Sequence, residues 1–268
     1  MSMAQPAPII SIVTVTFNDL ENLKLACESV LRQESASFEH IIVDGGSSDG
    51  TAEWVESTYA LDVDCKFSSG PDDGIFDAMN RGLRVATGEL VLFMNGGDRL
   101  PRADSLAAVS ESYRREQWEW SYGAITYVDD ELTPIRDYSN PTFSLRRLSL
   151  GLDFVPHPTL FAKRSILLEE GGFNLRFGFS ADQELAVRLA SHGMPKVFRE
   201  VQSLYKINGA HGASSSIGTA RRYQEIRKSH QMRLGASVML DEIFTIMLAA
   251  RWEAGRLKRR LFERFNLA

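Results

Sequence analysis

A chain of 268 residues with 44% apolar and 24% charged residues is ordinary globular material, long enough for one sizeable core and an appended element. Its two cysteines, Cys27 and Cys65, lack CxxC spacing and a nearby ligand cluster, the opening MSMAQPAP lacks the order of a signal peptide, and no uncharged apolar run reaches about 18 residues. Neither a zinc knuckle, a disulfide framework nor a membrane span is therefore expected, and the cytosol is the expected compartment. The net charge of -5 divides into -11 over residues 1–220 and +6 over residues 221–268, where eleven Lys or Arg meet five Asp or Glu. Such a basic end suits an anionic surface or a solvated helical face, while the acidic body disfavours nucleic acid.

Ile9 to Phe17, IISIVTVTF, is rich in β-branched residues and reads as a first buried strand. Asn18-Asp19 turns it into a helix over Leu20 to Arg32, with Leu23, Ala26, Cys27 and Val30 at helical spacing. His40 to Val43 is a second strand, Thr51 to Tyr59 a helix, Cys65 to Phe67 a third strand, Ile75 to Ala86 a helix and Glu89 to Met94 a fourth strand. This alternation predicts a doubly wound sheet over about the first hundred residues. Beyond Leu100 it weakens. Ser105 to Arg115 reads as a helix, Ser121 to Val128 as a strand and Asp129 to Pro141 as a polar, turn-rich stretch. Phe154 to Lys163, FVPHPTLFAK, carries two prolines that cannot donate to a central ladder, so an edge strand is expected. Helices follow at Ser165 to Glu170 and Ala181 to His192, then a small-residue loop at Gly209 to Ser216 and a helical tail.

Acidic turns punctuate this pattern. Asp44 follows the second strand and opens the loop DGGSSDG, where glycines permit close approach of a ligand and a carboxylate can accept from a base or ribose. Asp44 or Asp49 could equally cap a turn or helix. The buried run Leu90 to Met94 ends in Asn95-Gly96-Gly97-Asp98, which places Asp98 beyond the carboxyl end of a strand, where open parallel sheets bind ligands. No GxGxxG follows the first strand and no GxxxxGK[ST] occurs, which argues against dinucleotide dehydrogenases and P-loop enzymes.

Taken in order, the N-terminal strand, VDGGSSDGT, DDGIFDAMNRG and the acidic turn resemble the family 2 glycosyltransferases of bacterial polysaccharide and glycolipid biosynthesis, inverting enzymes of the GT-A fold, over residues 9 to about 216. The resemblance implies an α/β fold, with a GT-A-type doubly wound mixed sheet flanked by helices in a catalytic domain over 1–220, and a basic amphipathic helical tail over 221–268. It implies a nucleotide-diphosphate-sugar donor bordered by Thr16 and Asn18 and held at base or ribose by Asp44 and Asp73. Asp77 and Asn80 would line or support that site. Asn95 belongs to the turn in which Asp98 would bind a divalent cation, Mn²⁺ or Mg²⁺, although Gly stands where a second acid often does. Asp182, in FSADQEL, matches the catalytic base, and Glu184 is expected on the solvent side. His157 would contact donor phosphate or acceptor, or serve structurally, and His211 would approach the diphosphate when its loop closes. Lys163, Arg164 and Arg188 read as helix-surface charges. Sugar would pass to a hydroxyl of a glycan or lipid-linked acceptor, as in a hexosyltransferase; the alternative is a non-catalytic nucleotide-sugar-binding homologue. In the tail, Trp252 and Phe262 lie among Arg and Lys at helical spacing, which suits a membrane interface, core packing or a homodimer. The resemblance favours a cytoplasmic protein, peripheral on the inner face of the cell membrane.

Overall fold

In a computed structural model of the chain, residues 8–61, 65–206, 215–233 and 237–265 are described. The β-branched run Ile10–Thr16 forms β1, buried along its whole length, as a strand covered on both faces must be. Helix α1 (Leu20–Leu31) returns the chain to β2 (Phe38–Asp44), and α2 (Thr51–Ser57) returns it to β3 (Cys65–Ser69). Helix α3 (Ile75–Val85) then crosses to β4 (Leu90–Asn95) on the other side of β1. These four strands are parallel in the order β3-β2-β1-β4, so their carboxyl ends share one edge. Helix α3 packs on β1 so closely that a Cβ at Gly82 would lie 2.2 Å from Val13 Cγ1.

A two-residue strand β5 (Asp98–Arg99) follows the β4 turn, and α4 (Ser105–Glu116) leads into β6 (Trp120–Val128) and β7 (Pro134–Tyr138). The chain continues through α5 (Leu145–Ser149), β8 (Phe161–Lys163), α6 (Arg164–Glu169), α7 (Ala181–Leu189) and β9 (Lys196–Lys206), and ends in α8 (Ser216–Ser229) and α9 (Val238–Phe265). The complete order is β3-β2-β1-β4-β8-β6-β9-β5, with β7 pairing β6. Antiparallel β4–β8, β6–β8 and β5–β9 pairs make the sheet mixed. Alternate residues Ile10 and Ile12 of β1 and Leu90, Leu92 and Met94 of β4 meet Leu106, Val109 and Tyr113 of α4 in one core cluster. Each such buried side chain contributes about 1.5–3 kcal/mol.

The edge strand expected over Phe154 to Lys163 is not found. Its two prolines precede the strand, flanking His157 at a 3-10 turn over His157–Thr159, and the strand that follows is internal, between β4 and β6. Pro156 and Pro158 therefore never enter the ladder they would have interrupted. The stretch read as turn-rich also contains β7.

Two compact units divide the described residues. The sheet unit comprises residues 8–61, 65–143 and 155–206; the helical unit comprises residues 144–154, 215–233 and 237–265. In the latter, Ala220 of α8 packs on Leu248 and Ala249 of α9. Arg227, fully buried, donates to Asp241 Oδ1 (2.6 Å), Thr245 Oγ1 (2.8 Å) and the Ser149 carbonyl (3.3 Å). Residues 220 and 221 lie inside α8.

Candidate active site

The ladder sets Thr16 opposite Asp44 and Val15 opposite Asn95, so three sequence-predicted residues stand abreast where β1, β2 and β4 end. Asn18 adopts the left-handed conformation that Asn tolerates (φ 48°). Its Oδ1 accepts from Ser48 N (2.9 Å), and its own N–H donates to Ser47 Oγ (2.7 Å), tying the first loop to the second. Asp44 is fully buried and accepts from Ser47 N (3.0 Å) and from the Ser47 and Ser69 hydroxyls. Asp49 performs the capping role. It accepts from Leu20 N (2.9 Å) at the start of α1 and from Thr51 N (3.2 Å) and Oγ1 (2.6 Å) at the start of α2. The Thr51 hydroxyl is the main reason its carboxyl sits below the ordinary range.

Phe17, read from sequence only as the end of a strand, is 62% exposed here. A Cβ at Gly45 would sit 3.1 Å from its ring and 3.0 Å from Asp72 Oδ2, so glycine is what allows these loops to close together. Asp73 is exposed on the rim. Behind it, Asp77 Oδ2 accepts from Asp73 N (3.2 Å) and pairs with Arg81 (2.8 Å), which also donates to the Pro71 carbonyl (2.8 Å). Asn80 uses both ends of its amide, each at 2.8 Å, on the main chain of Phe173. Asp77 and Asn80 thus shape the loops from behind.

The second half of the chain delivers the remaining groups. Thr159 Oγ1 accepts from Gly123 N of β6 (3.0 Å) and donates to the Pro156 carbonyl (2.8 Å), bracing the turn that carries His157. His157 Nε2 lies 3.0 Å from Asn95 Nδ2 and 3.7 Å from Asp98 Oδ2, and its Nδ1 lies 3.9 Å from Asp182 Oδ2. Asp98 is 2% exposed, and burial pushes its carboxyl up to about 7 despite the bond from Asn95 N (2.8 Å). Burial likewise raises Asp182 to about 6, opposed by donation from the Gln183 side chain (2.9 Å) and main chain (2.8 Å). Gln183 also exchanges two bonds with the main chain of Val155, both 2.9 Å. Tyr205 of β9 stands opposite Asp98 in the ladder; burial first, then the charges of Asp98 and Asp182, hold its phenol above the ordinary range. Gln183 and Tyr205 escaped sequence reading, and the position of Gln183 beside Asp182 was the one signal available.

Glu184 and Arg188 are not surface charges. The Glu184 side chain is 2% exposed and pairs with Arg188 (2.8 Å), which also donates to the carbonyls of Glu170 (2.6 Å) and Gly172 (2.7 Å). This network fixes the loop that carries Phe173, the partner of Asn80. His211 lies outside the described residues.

Among the described residues no group of three or more His, Cys, Asp or Glu could hold a metal alone. The donor set nevertheless fits a hard cation that takes its other ligands from a substrate. Among the described residues no Lys or Arg lies within ion-pair distance of the buried Asp98 carboxyl, and a divalent ion would restore its charged form. Close by, Asn95 Oδ1 and Thr16 Oγ1 are buried with no hydrogen-bond partner among the described residues, the usual mark of a group waiting for a ligand or water.

A parallel βαβ half ending in an acidic turn, joined to a mixed second half that carries a buried acid, is the architecture of the GT-A fold. The chain belongs to glycosyl transferase family 2, whose pattern it matches over residues 11–171. An uncharacterised glycosyltransferase of Mycobacterium tuberculosis is 32% identical over 236 residues, spanning 84% of this chain and 86% of its own length. A PGL/p-HBAD biosynthesis glycosyltransferase of Mycobacterium bovis is 29% identical over 250 residues, spanning 92% of this chain and 91% of its own. The crystal structure of S. aureus TarS 1–349 in complex with UDP-GlcNAc superimposes with a TM-score of 0.67 at 16% identity, over 89% of this chain and 71% of that 1–349 chain. The mannosyltransferase PcManGT from Pyrobaculum calidifontis, in complex with GDP-Man and Mn²⁺, does so with a TM-score of 0.60 at 19% identity, over 95% and 76% of the two chains. These structural likenesses establish the shared fold. The chain is a glycosyltransferase.

Proposed function

We propose that this enzyme transfers a hexose from a nucleoside-diphosphate sugar to a hydroxyl of a glycan or lipid-linked acceptor, with inversion, at the cytoplasmic face of a membrane. Binding of a nucleotide sugar by the two superimposed proteins supports the donor class. The observation that carries the mechanism is the convergence of Asp98 and Asp182, from different halves of the chain, on the two nitrogens of His157.

Asp73 faces the nucleoside, Asp44, buried, orients the Ser47 and Ser69 hydroxyls, Phe17 offers the nucleoside an apolar surface, and Thr16 and Asn18 border it. Asp98, with Asn95 beside it, would hold a divalent cation, which when bound supplies positive charge to the leaving diphosphate. Asp182 takes the proton of the acceptor hydroxyl as that oxygen attacks the anomeric carbon opposite the diphosphate. With its carboxyl raised to about 6, Asp182 is mostly ionised at neutral pH yet basic enough to accept. Gln183 holds the carboxylate in place, and His157 spaces it from Asp98.

Asp182→Asn tests this reading. Thermal unfolding with UDP, GDP and dTDP sugars, each with and without Mn²⁺, should still report donor binding, while transfer is lost. Retained transfer would remove Asp182 from the role of base.

A further inference from the structure

The exposed surface of the helical unit carries an interface of its own. Toward α8, α9 turns Asp241, Thr245, Leu248 and Ala249, all buried. On its other side Met239, Leu240, Ile243, Ile246 and Met247 follow helical spacing and stay open, Met239 at 69% and Met247 at 64% exposure. Isolated exposed apolar side chains are commonplace; five of them along three turns of one helix mark an interaction surface.

Charge selects the occupant. Both acids within this apolar half are bound by α8: Asp241 by Arg227, and Glu242 by Arg221 at 2.5 Å. Beyond Ala250 the sequence has six Lys or Arg, Arg251 to Arg264, against Glu253 and Glu263. Arg251, Leu257 and Lys258 are exposed. An apolar face whose acids are neutralised, continued by a cationic segment, complements a surface that is apolar within and anionic at its boundary. A second copy in parallel would set cationic segment against cationic segment.

We propose that α9 docks on an anionic lipid bilayer, with Met239, Ile243 and Met247 entering the acyl boundary and Arg251 and Lys258 meeting the headgroups. This names the partner surface for the membrane location proposed above and rests on that reading for its setting alone. Binding is read without donor or acceptor, so it can fail while transfer stands, and the reverse.

The full chain is sedimented with vesicles of phosphatidylcholine alone and of phosphatidylcholine with phosphatidylglycerol. Partition onto the anionic vesicles should exceed that onto neutral ones by about tenfold or more and weaken in about 0.5 M salt. Ile243→Ser with Met247→Ser should reduce it by about tenfold, and Arg251→Glu with Lys258→Glu should abolish the preference for phosphatidylglycerol. All four side chains are exposed, so unchanged circular dichroism and melting are expected for both variants. Absence of binding by the parent chain, or equal binding by Ile243→Ser with Met247→Ser, would overturn the proposal. So would a self-association in sedimentation velocity that this double variant removes while vesicles bind neither protein, which would make a second copy the occupant.

Discussion

Gln183 offers a direct handle on the acid assigned as base. Its side chain donates to Asp182 Oδ2 at 2.9 Å, and that bond lowers a carboxyl which burial has raised to about 6. Gln183→Met keeps the volume and removes the donor. A hydrogen bond to a charged group contributes roughly 1.5–3 kcal/mol, and one pKa unit corresponds to about 1.4 kcal/mol, so the carboxyl should rise by about 1 to 2 units. The acid limb of kcat/KM should therefore move from about 6 to about 7–8, with a loss of about two- to tenfold at pH 7 that is recovered near pH 9. The variant also frees the main chain of Val155, so melting must first establish that it is folded at the assay temperature. The assay is initial rate against pH with the donor selected by thermal shift. An unmoved acid limb in a folded variant would refute the claim that Gln183 tunes Asp182; a loss that persists at pH 9 would refute a purely electrostatic effect.

Three further outcomes are expected. Donor at a hundredfold excess over Kd stabilises the parent enzyme by about 2.7 kcal/mol in all, and Asp98→Asn should abolish the part of that shift that depends on Mn²⁺. Because the folded carboxyl sits near 7, above its unfolded value, its ionisation destabilises the ligand-free fold as pH rises; the same variant should thus gain up to about 4 kcal/mol near pH 8 in urea unfolding. Gly82→Ala, ordinarily favourable in a helix, should destabilise by about 1–3 kcal/mol because its Cβ would meet Val13 Cγ1 at 2.2 Å, lowering Tm by roughly 2–12 °C. Arg188→Met should cost about 3–5 kcal/mol by removing the guanidinium that pairs with buried Glu184 and donates to the Glu170 and Gly172 carbonyls, with part of the stability recovered by the added change Glu184→Leu.

The first half of the fold was legible because its signals are local. Ile10–Thr16 and Leu90–Asn95 are apolar runs of strand length, and α1 and α3 show helical periodicity. The second half was less so. Pro156 and Pro158 made an internal strand look peripheral, since sequence cannot tell that the chain finishes its turn before the ladder begins. Strand β9, KVFREVQSLYK, alternates poorly because its pairing with β6 shifts register near Tyr122 to Ile125, so no period-two pattern was available. Glu184 and Arg188 form an i,i+4 pair typical of a solvated face; what buries them is the loop carrying Glu170 and Gly172, a tertiary fact. Within the site, Asp44 and Asp98 stand out as carboxylates where strands give way to turns and Asp182 through its place in the motif order, whereas Phe17 and Tyr205 gain meaning only from the loops and strands beside them.

The place of β8 in the sheet also bears on how the chain matures. Leu90 to Leu92 of β4 pair with residues 161–163, so more than sixty residues must emerge after β4 before its second edge is covered. A ribosome-bound chain that has completed β1 to β4 therefore displays an apolar strand with one row of unmet backbone donors and acceptors, a template for unwanted pairing. His157 arrives in the turn just before the strand that seals this edge. Sealing the nascent sheet and bringing the first catalytic-half partner to Asp98 are consequently a single event in synthesis, so chains truncated before Phe161 should be both inactive and prone to aggregate.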